Sequence, residues 1–247
     1  MIPRIIHYCW FGRGEKSEMN LRCIDSWRKF LPDHEIKEWN EDNFRVDAIP
    51  YTREAYREGA YAFVSDYARF KVLHENGGLY FDTDVEVIRR MDDILARGPF
   101  MAMESDGSSN PLAVNPGLGL GALPGMEVYL EILEKYEDLP YLLDNGERNP
   151  YTMIPLVTEL LKRKGLKGDS SVEHIGDIDV YPPDWFNPFD DATGRLTVTD
   201  NTRAVHWYEK SWMPRESFFR IQAKRMLRRV FGTGTVSGIG RIVKRNG

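Results

Sequence analysis

Cysteine is scarce: Cys9 and Cys23 are the only two in 247 residues. Two cannot build a disulfide framework, and no Cys-x-x-Cys pair offers a structural zinc site. Both are expected as buried small hydrophobes in a reducing compartment. No run of about 18 apolar residues occurs, which excludes a transmembrane helix. The opening Met1-Ile2-Pro3-Arg4-Ile5-Ile6-His7-Tyr8 has no secretory hydrophobic region. A basic excess is missing too: 33 Lys plus Arg stand against 38 Asp plus Glu, a net charge of −5. That balance excludes a general nucleic-acid binder, whose phosphate contacts need a basic surface. No internal repeat or low-complexity linker divides the chain. A cytoplasmic protein with one large domain is the expectation.

One further absence is local. No acid follows Glu216, yet Arg220, Lys224, Arg225, Arg228, Arg229, Arg241, Lys244 and Arg245 do. The whole-chain sum hides this asymmetry. We therefore divide the chain into a catalytic domain, 1–215, and a basic extension, 216–247. Within the extension, 217–231 alternates bases with apolar residues at helical spacing. It is expected as an amphipathic helix that either docks on the domain or lies on an anionic membrane surface.

What is present is a set of alternating strands and helices. Ile5 to Phe11 is an apolar strand closed by Gly12. Ser17 offers an N-cap, and Leu21, Ile24, Trp27 (or Arg28) and Leu31 recur at helical spacing until Pro32-Asp33. A second strand at Glu35 to Trp39 completes a βαβ unit, which predicts a parallel sheet. Tyr61 to Glu75 reads as a helix stopped by Asn76-Gly77-Gly78. Leu79-Tyr80-Phe81 is a short apolar strand, and Val85 to Ile88 another. Further strands are expected at Phe100 to Met103, Asp179 to Tyr181 and Arg203 to Trp207. Helices are expected at Met126 to Tyr136 and Thr152 to Lys164, with a polar loop from Asp106 to Pro116.

Asp82 and Asp84 sit one residue apart at the carboxyl end of a central strand, the end where open α/β sheets bind ligands. In an extended backbone both carboxylates point to one side, which suits a single hard divalent cation. The pattern alone is weak, since 19 Asp give roughly 1.5 such triplets by chance. The chain has two. Context favours Asp82-Thr83-Asp84, which follows a Gly-Gly break and a compact apolar strand. Asp177-Ile178-Asp179 reads as a solvated strand entry. Asp66 and Arg69, at i and i+3 on the preceding helix, share a face. They read either as an intrahelical ion pair, on a helix of which little looks fully solvated, or as groups for sugar hydroxyls and phosphate.

The segment Tyr61-Ala62-Phe63-Val64-Ser65-Asp66-Tyr67-Ala68-Arg69, with Gly77-Gly78-Leu79-Tyr80-Phe81-Asp82-Thr83-Asp84-Val85, closely resembles the signature block of glycosyltransferase family 32. The first strand and Ala204-Val205-His206-Trp207-Tyr208 with Ser211-Trp212 are similar to that family's opening and closing motifs. The block also resembles the glucosyltransferase domains of large clostridial toxins. The resemblance implies a GT-A fold, a Rossmann-like and mostly parallel sheet flanked by helices. It also implies a nucleotide-sugar donor, Mn²⁺ or Mg²⁺, and retention of anomeric configuration. Asp82 and Asp84 would bind the metal, Asp82 also meeting the sugar. Asp66 and Arg69 would hold the donor sugar, Trp10 would lie by the base and Tyr80 would line the donor pocket. His206 is an optional third metal ligand, and Ser211 and Trp212 would cover the diphosphate.

The resemblance supports UDP-hexose or UDP-HexNAc over GDP-mannose as the donor, a choice the residues do not decide, and a glycan or lipid-linked glycan in surface polysaccharide synthesis is the expected acceptor. Glu104 and Asp106 are the nearby candidates for a covalent nucleophile, with same-face attack preferred. His7 is expected as a core histidine. Two rivals stand beside this reading. An aspartyl-phosphate phosphatase also uses Asp-x-Asp after an apolar strand, and Gly168 to Glu173 mimics its later acidic motif. The other is a non-catalytic sugar-binding module.

Overall fold

The structure is a computed structural model, and it describes residues 1–105 and 112–209. The first unit forms as expected, with β1 (Ile5–Cys9), α1 (Glu18–Phe30) and β2 (Glu35–Trp39). β1 and β2 pair in parallel, from Ile5 opposite Glu35 to Cys9 opposite Trp39. α1 begins where Ser17 Oγ accepts the Asn20 N–H (3.1 Å) and Asn20 Oδ1 accepts the Ser17 N–H (3.0 Å). This reciprocal cap satisfies two otherwise unpaired donors. Its buried arc is Asn20, Cys23, Ile24 and Trp27. Leu21, expected inside, is exposed, because one residue beyond Asn20 turns the side chain about 100° off that arc.

α2 (Pro50–Arg57), which the apolar spacing did not reveal, precedes α3 (Tyr61–Asn76). Two glycines join α3 to β3 (Gly78–Tyr80), with φ of +64° at Gly77 and +100° at Gly78. A Cβ on Gly77 would come within 2.7 Å of Pro124, and one on Gly78 within 2.7 Å of the Ile5 carbonyl. The Gly-Gly break is therefore required twice over, by backbone angle and by space.

The remaining elements follow in order. They are β4 (Val85–Val87), α4 (Asp92–Arg97), β5 (Phe100–Glu104), β6 (Ala113–Val114), β7 (Leu120–Ala122), α5 (Glu127–Glu137) and α6 (Met153–Arg163). After them come β8 (Glu173–Ile175), β9 (Ile178–Tyr181), α7 (Pro183–Phe186), β10 (Phe189–Asp190), β11 (Arg195–Leu196) and β12 (Ala204–His206). The main sheet runs β2-β1-β3-β7-β5-β9-β8, with β6 on β5. Strands β2, β1, β3, β5 and β9 point one way; β7, β8 and β6 oppose them. The stretch expected as a polar loop before Pro116 thus contains a short strand, where Val114 pairs with Met103. Asp106 and everything after Glu209 lie outside the described residues, including Ser211, Trp212, the basic extension and its boundary at 215.

Strand alternation sends Ile6 and Tyr8 to a core under α1, with Ile24, Trp27 and Phe81. On the other face a larger core under α2, α3, α5 and α6 takes Cys9, Phe70, Tyr129 and Leu161. Both cysteines are buried and free. Among the described residues no helix is long and apolar enough to cross a membrane.

His7 is the core histidine expected from sequence. It is fully buried; its Nδ1 accepts the Trp39 indole N–H (3.0 Å), and its Nε2 lies 2.9 Å from the Gly77 carbonyl. Since Nδ1 accepts, Nε2 must carry the proton, and the neutral imidazole ties β1 to β2 and to the glycine turn. Burial pushes its pKa down to about 4, with the Gly77 bond opposing and Lys37 assisting. Between pH 6.5 and 4 the unfolded chain takes up this proton before the folded one does, so stability falls as pH falls. The loss across that window should be about 3 kcal/mol. Urea melts at pH 7 and pH 4 should show a smaller loss for His7→Gln than for the wild type; equal losses would contradict this role.

Candidate active site

A cavity of about 510 Å³ opens at the carboxyl ends of β1 and β3. Trp10, directly after β1, lines it together with Gly12 and Tyr61, with Asp66 and Arg69 from α3, and with Asp82, Asp84 and His206. Its size is in the range of small-molecule sites, and its position is where parallel strands present ligand groups.

Arg69 joins Asp66 to Asp82. Its side chain is 3% exposed, and its guanidinium lies 3.0 Å from Asp66 and 3.2 Å from Asp82. Its Nε donates to the Ser65 carbonyl (3.1 Å), and its plane sits 4.8 Å from the centre of the Tyr80 ring. The intrahelical pair at i and i+3 therefore forms, and it is buried. Burial opposes the charge, but Asp82, Tyr80 and Asp66 hold Arg69 above the ordinary guanidinium range. Asp66 is pushed up to about 6, chiefly by burial; Arg69 opposes that rise and Asp82 adds to it. Two carboxylates share one guanidinium, so the second gains less than burial costs it.

Tyr80 is buried beneath the cavity and is not among its lining residues. Its hydroxyl donates to Asp82 Oδ1 (3.0 Å), so it orients that carboxylate from behind.

Asp82 and Asp84 converge through a turn, not through an extended strand. The chain leaves β3 at Tyr80, and the Val85 N–H returns to the Asp82 carbonyl (3.0 Å). The third member comes from far along the chain. β12 pairs antiparallel with β4, His206 opposite Val85, which sets the imidazole one residue from Asp84. His206 Nε2 lies 3.1 Å from Asp84 Oδ1, while the Glu209 N–H donates to Asp84 Oδ2 (2.9 Å). Burial works against the Asp84 charge, yet His206 and the Glu209 N–H hold its carboxyl below the usual range. His206 is raised: burial lowers it, and Asp84 more than compensates.

Atoms of Asp82, Asp84 and His206 able to ligate a metal lie within 4.8 Å of one another. His206 Nδ1 is buried with no hydrogen-bond partner among the described residues. Two carboxylates and one imidazole fit a divalent cation such as Mn²⁺.

Several lining residues had no signal in the sequence. Asn20, Ser65, Asn115, Tyr208 and Glu209 all reach the cavity. Glu104 stands behind this wall, its Oε2 accepting from Asn115 (2.7 Å) and the Tyr208 hydroxyl (2.8 Å). Asp179 is not a solvated strand entry. It is buried and bonded to Arg97 (2.6 Å) and to His174 (2.9 Å), because β9 lies inside the sheet between β5 and β8. Neither it nor Asp177 lines the cavity. Glu173, in the phosphatase-like stretch, accepts the Lys167, Gly168 and Asp169 N–H groups and closes its own loop.

Gly117 packs directly on the Asp82 carboxylate. A Cβ there would fall on Asp82 Oδ2 and reach within 3.1 Å of Asn115 Oδ1. Gly117→Ala should therefore push Asp82 off its bonds to Tyr80 and Arg69. Displacing a metal-site group in this way should weaken Mn²⁺ binding about tenfold or more, with the fold retained by circular dichroism. Unchanged Mn²⁺ affinity in a titration would show that Asp82 is not held by this contact.

Residues 17–101 match the model of a family described as "glycosyltransferase sugar-binding region containing DXD motif". A mannosyl phosphorylinositol ceramide synthase of Saccharomyces cerevisiae is 25% identical over 163 residues, covering 61% of this chain and 40% of its own. Inositol phosphoceramide mannosyltransferase 2 of Schizosaccharomyces pombe is 29% identical over 191 residues, covering 71% of this chain and 51% of its own. The chain thus spans about half or less of these relatives. The fold is similar to that of the solved "PaToxG Glycosyltransferase", with a TM-score of 0.51 and 20% identity over 66% of this chain and 70% of that one. That likeness places the mixed α/β architecture among the GT-A glycosyltransferase folds. Asp82-Thr83-Asp84 is the only Asp-x-Asp between 17 and 101, so the region similar to that family, about a third of the chain, contains one such motif.

Proposed function

We propose that the protein is a metal-dependent glycosyltransferase that moves a hexosyl group from a nucleoside diphosphate sugar to a glycan or glycolipid hydroxyl. The observation that carries this reading is one continuous cavity. Its lining combines the aromatics Trp10 and Tyr61, the Asp66–Arg69 pair and the Asp82, Asp84 and His206 cluster. Base, sugar and diphosphate are successive parts of such a donor, and the three groups of residues offer them a flat apolar surface, hydroxyl acceptors and charge neutralisation. A phosphatase needs no such aromatics, and its expected partner motif closes a separate loop. A sugar-binding module needs no metal ligands.

Asp82, Asp84 and His206 would hold the cation, which when bound neutralises charge on the diphosphate as it departs. Asp66 accepts a hydroxyl hydrogen of the sugar and fixes the ring in the cavity. Arg69 is permanently charged in a dry setting and favours the growing negative charge on the leaving group. The bond from the sugar's anomeric carbon to the phosphate oxygen breaks as the acceptor oxygen bonds to the same carbon. The acceptor's proton passes to the leaving phosphate oxygen. Glu104 stands behind Asn115 and Tyr208 and is not among the lining residues, which speaks against it as a covalent nucleophile.

The family resemblance supports UDP-hexose and UDP-HexNAc over GDP-mannose. The relatives' names keep a mannosyl donor such as GDP-mannose in the test, and add an inositol phosphoceramide as an acceptor to test. Calorimetry with a panel of these nucleotide sugars should find at least one that binds with Mn²⁺ and not with EDTA. Asp84→Ala should lose that binding by tenfold or more. Binding by none of the panel, or undiminished binding and transfer by Asp84→Ala, would overturn the proposal.

A further inference from the structure

Asp84 is gripped by the segment just after β12, and that segment is itself gripped by the start of α1. Trp207 donates its N–H to the Asp84 carbonyl (3.0 Å), and Glu209 donates its N–H to Asp84 Oδ2 (2.9 Å). The Glu209 carboxylate points the other way. Its Oε1 accepts from Ser17 Oγ (2.6 Å) and its Oε2 from Asn20 Nδ2 (2.7 Å). Asn20 is 1% exposed, and its Nδ2 also lies 3.4 Å from the carbonyl of Thr83, the residue between the two aspartates. Asn20 Oδ1 is already committed to the Ser17 cap, which fixes the amide so that Nδ2 must face Glu209.

We infer that Asn20 and Glu209 are positioning residues for the metal site: their bond locks the closing segment onto the Asp82–Asp84 turn and presets the Asp84 carboxylate. The reason is geometric. Asp84 stands on a turn, not on a paired strand, so no sheet ladder fixes its side chain. Its Oδ2 is held by a backbone donor whose position depends on where the Glu209 side chain is anchored. Glu209 reaches across 189 residues of sequence to a helix cap. A carboxylate satisfied by a serine hydroxyl and a buried amide is a rigid anchor, because the alternative leaves Asn20 Nδ2 buried with only the long Thr83 contact. Outer groups of this kind set ligand orientation, and losing them typically costs 10- to 100-fold in metal affinity.

The inference rests on the metal reading of the site, and Mn²⁺ binding to the full chain tests the two separately. The probe is Mn²⁺ alone, followed by the electron paramagnetic resonance signal of the free ion. Glu209→Ala removes both acceptors, leaving Asn20 Nδ2 with only the long Thr83 contact, and Asn20→Asp sets a second carboxylate against Glu209. Each should weaken Mn²⁺ about tenfold or more. The double variant N20D/E209Q restores one donor facing one acceptor, and should recover most of the wild-type affinity. A purely structural role would lower the melting temperature of the single variants and leave their Mn²⁺ affinity unchanged; that result overturns the coupling. A double variant that melts like the wild type yet binds Mn²⁺ no better than Asn20→Asp also overturns it. Absence of Mn²⁺ binding by the wild type would overturn the coupling together with the metal reading.

Discussion

Arg69 carries a permanent charge into the space between α3 and β3, and the polar groups around it are arranged to answer that charge. Asp66 and Asp82 flank the guanidinium, Ser65 takes its Nε–H and Tyr80 lies under its plane. Removing either carboxylate would leave a buried charge short of a partner, a loss on the order of 3–5 kcal/mol. The arrangement also fixes the site. Asp66 can sit in the cavity at a raised pKa because Arg69 limits the rise, and Asp82 can present one oxygen outward because Arg69 and Tyr80 hold its other bonds.

From that centre the rest of the fold can be understood as support. The glycine turn lets α3 deliver Arg69 and β3 deliver Asp82 to one point, and His7 clamps that turn from β1. β12 returns antiparallel to β4 so that His206 meets Asp84, although the two are far apart in sequence. Asn115 and Gly117 close the wall against Asp82. Each of these contacts joins chain segments that share no local signal, which is why the cavity exists only in the folded state.

The local parts were legible in the sequence and the long-range ones were not. Ser17 as a cap, Gly77-Gly78 as a stop, β2 at Glu35 to Trp39 and the helix bearing Asp66 and Arg69 all follow from short-range rules. Asp82 and Asp84 were found by their spacing at a strand end, although a turn and not a pleat brings them together. His206 was recognisable only as an option, because nothing local fixes the β12 to β4 register. Asn20 and Glu209 gave no signal: a polar residue in a first helical turn and an acid after a late strand are ordinary. Leu21 was misplaced because an arc of Asn20, Cys23, Ile24 and Trp27 satisfies helical periodicity one residue earlier. Asp179 was misjudged as solvated because an acid at a strand entry does not disclose that Arg97 and His174 will cover it.

The central claim is that Asp82, Asp84 and His206, which line the cavity, form one cation site. Anomalous diffraction from crystals of the full chain grown with Mn²⁺ measures this directly. The account predicts a manganese peak bounded by those three side chains in the wild type, and its loss in Asp84→Ala. A peak elsewhere on the chain, or an unchanged peak in the variant, would contradict it.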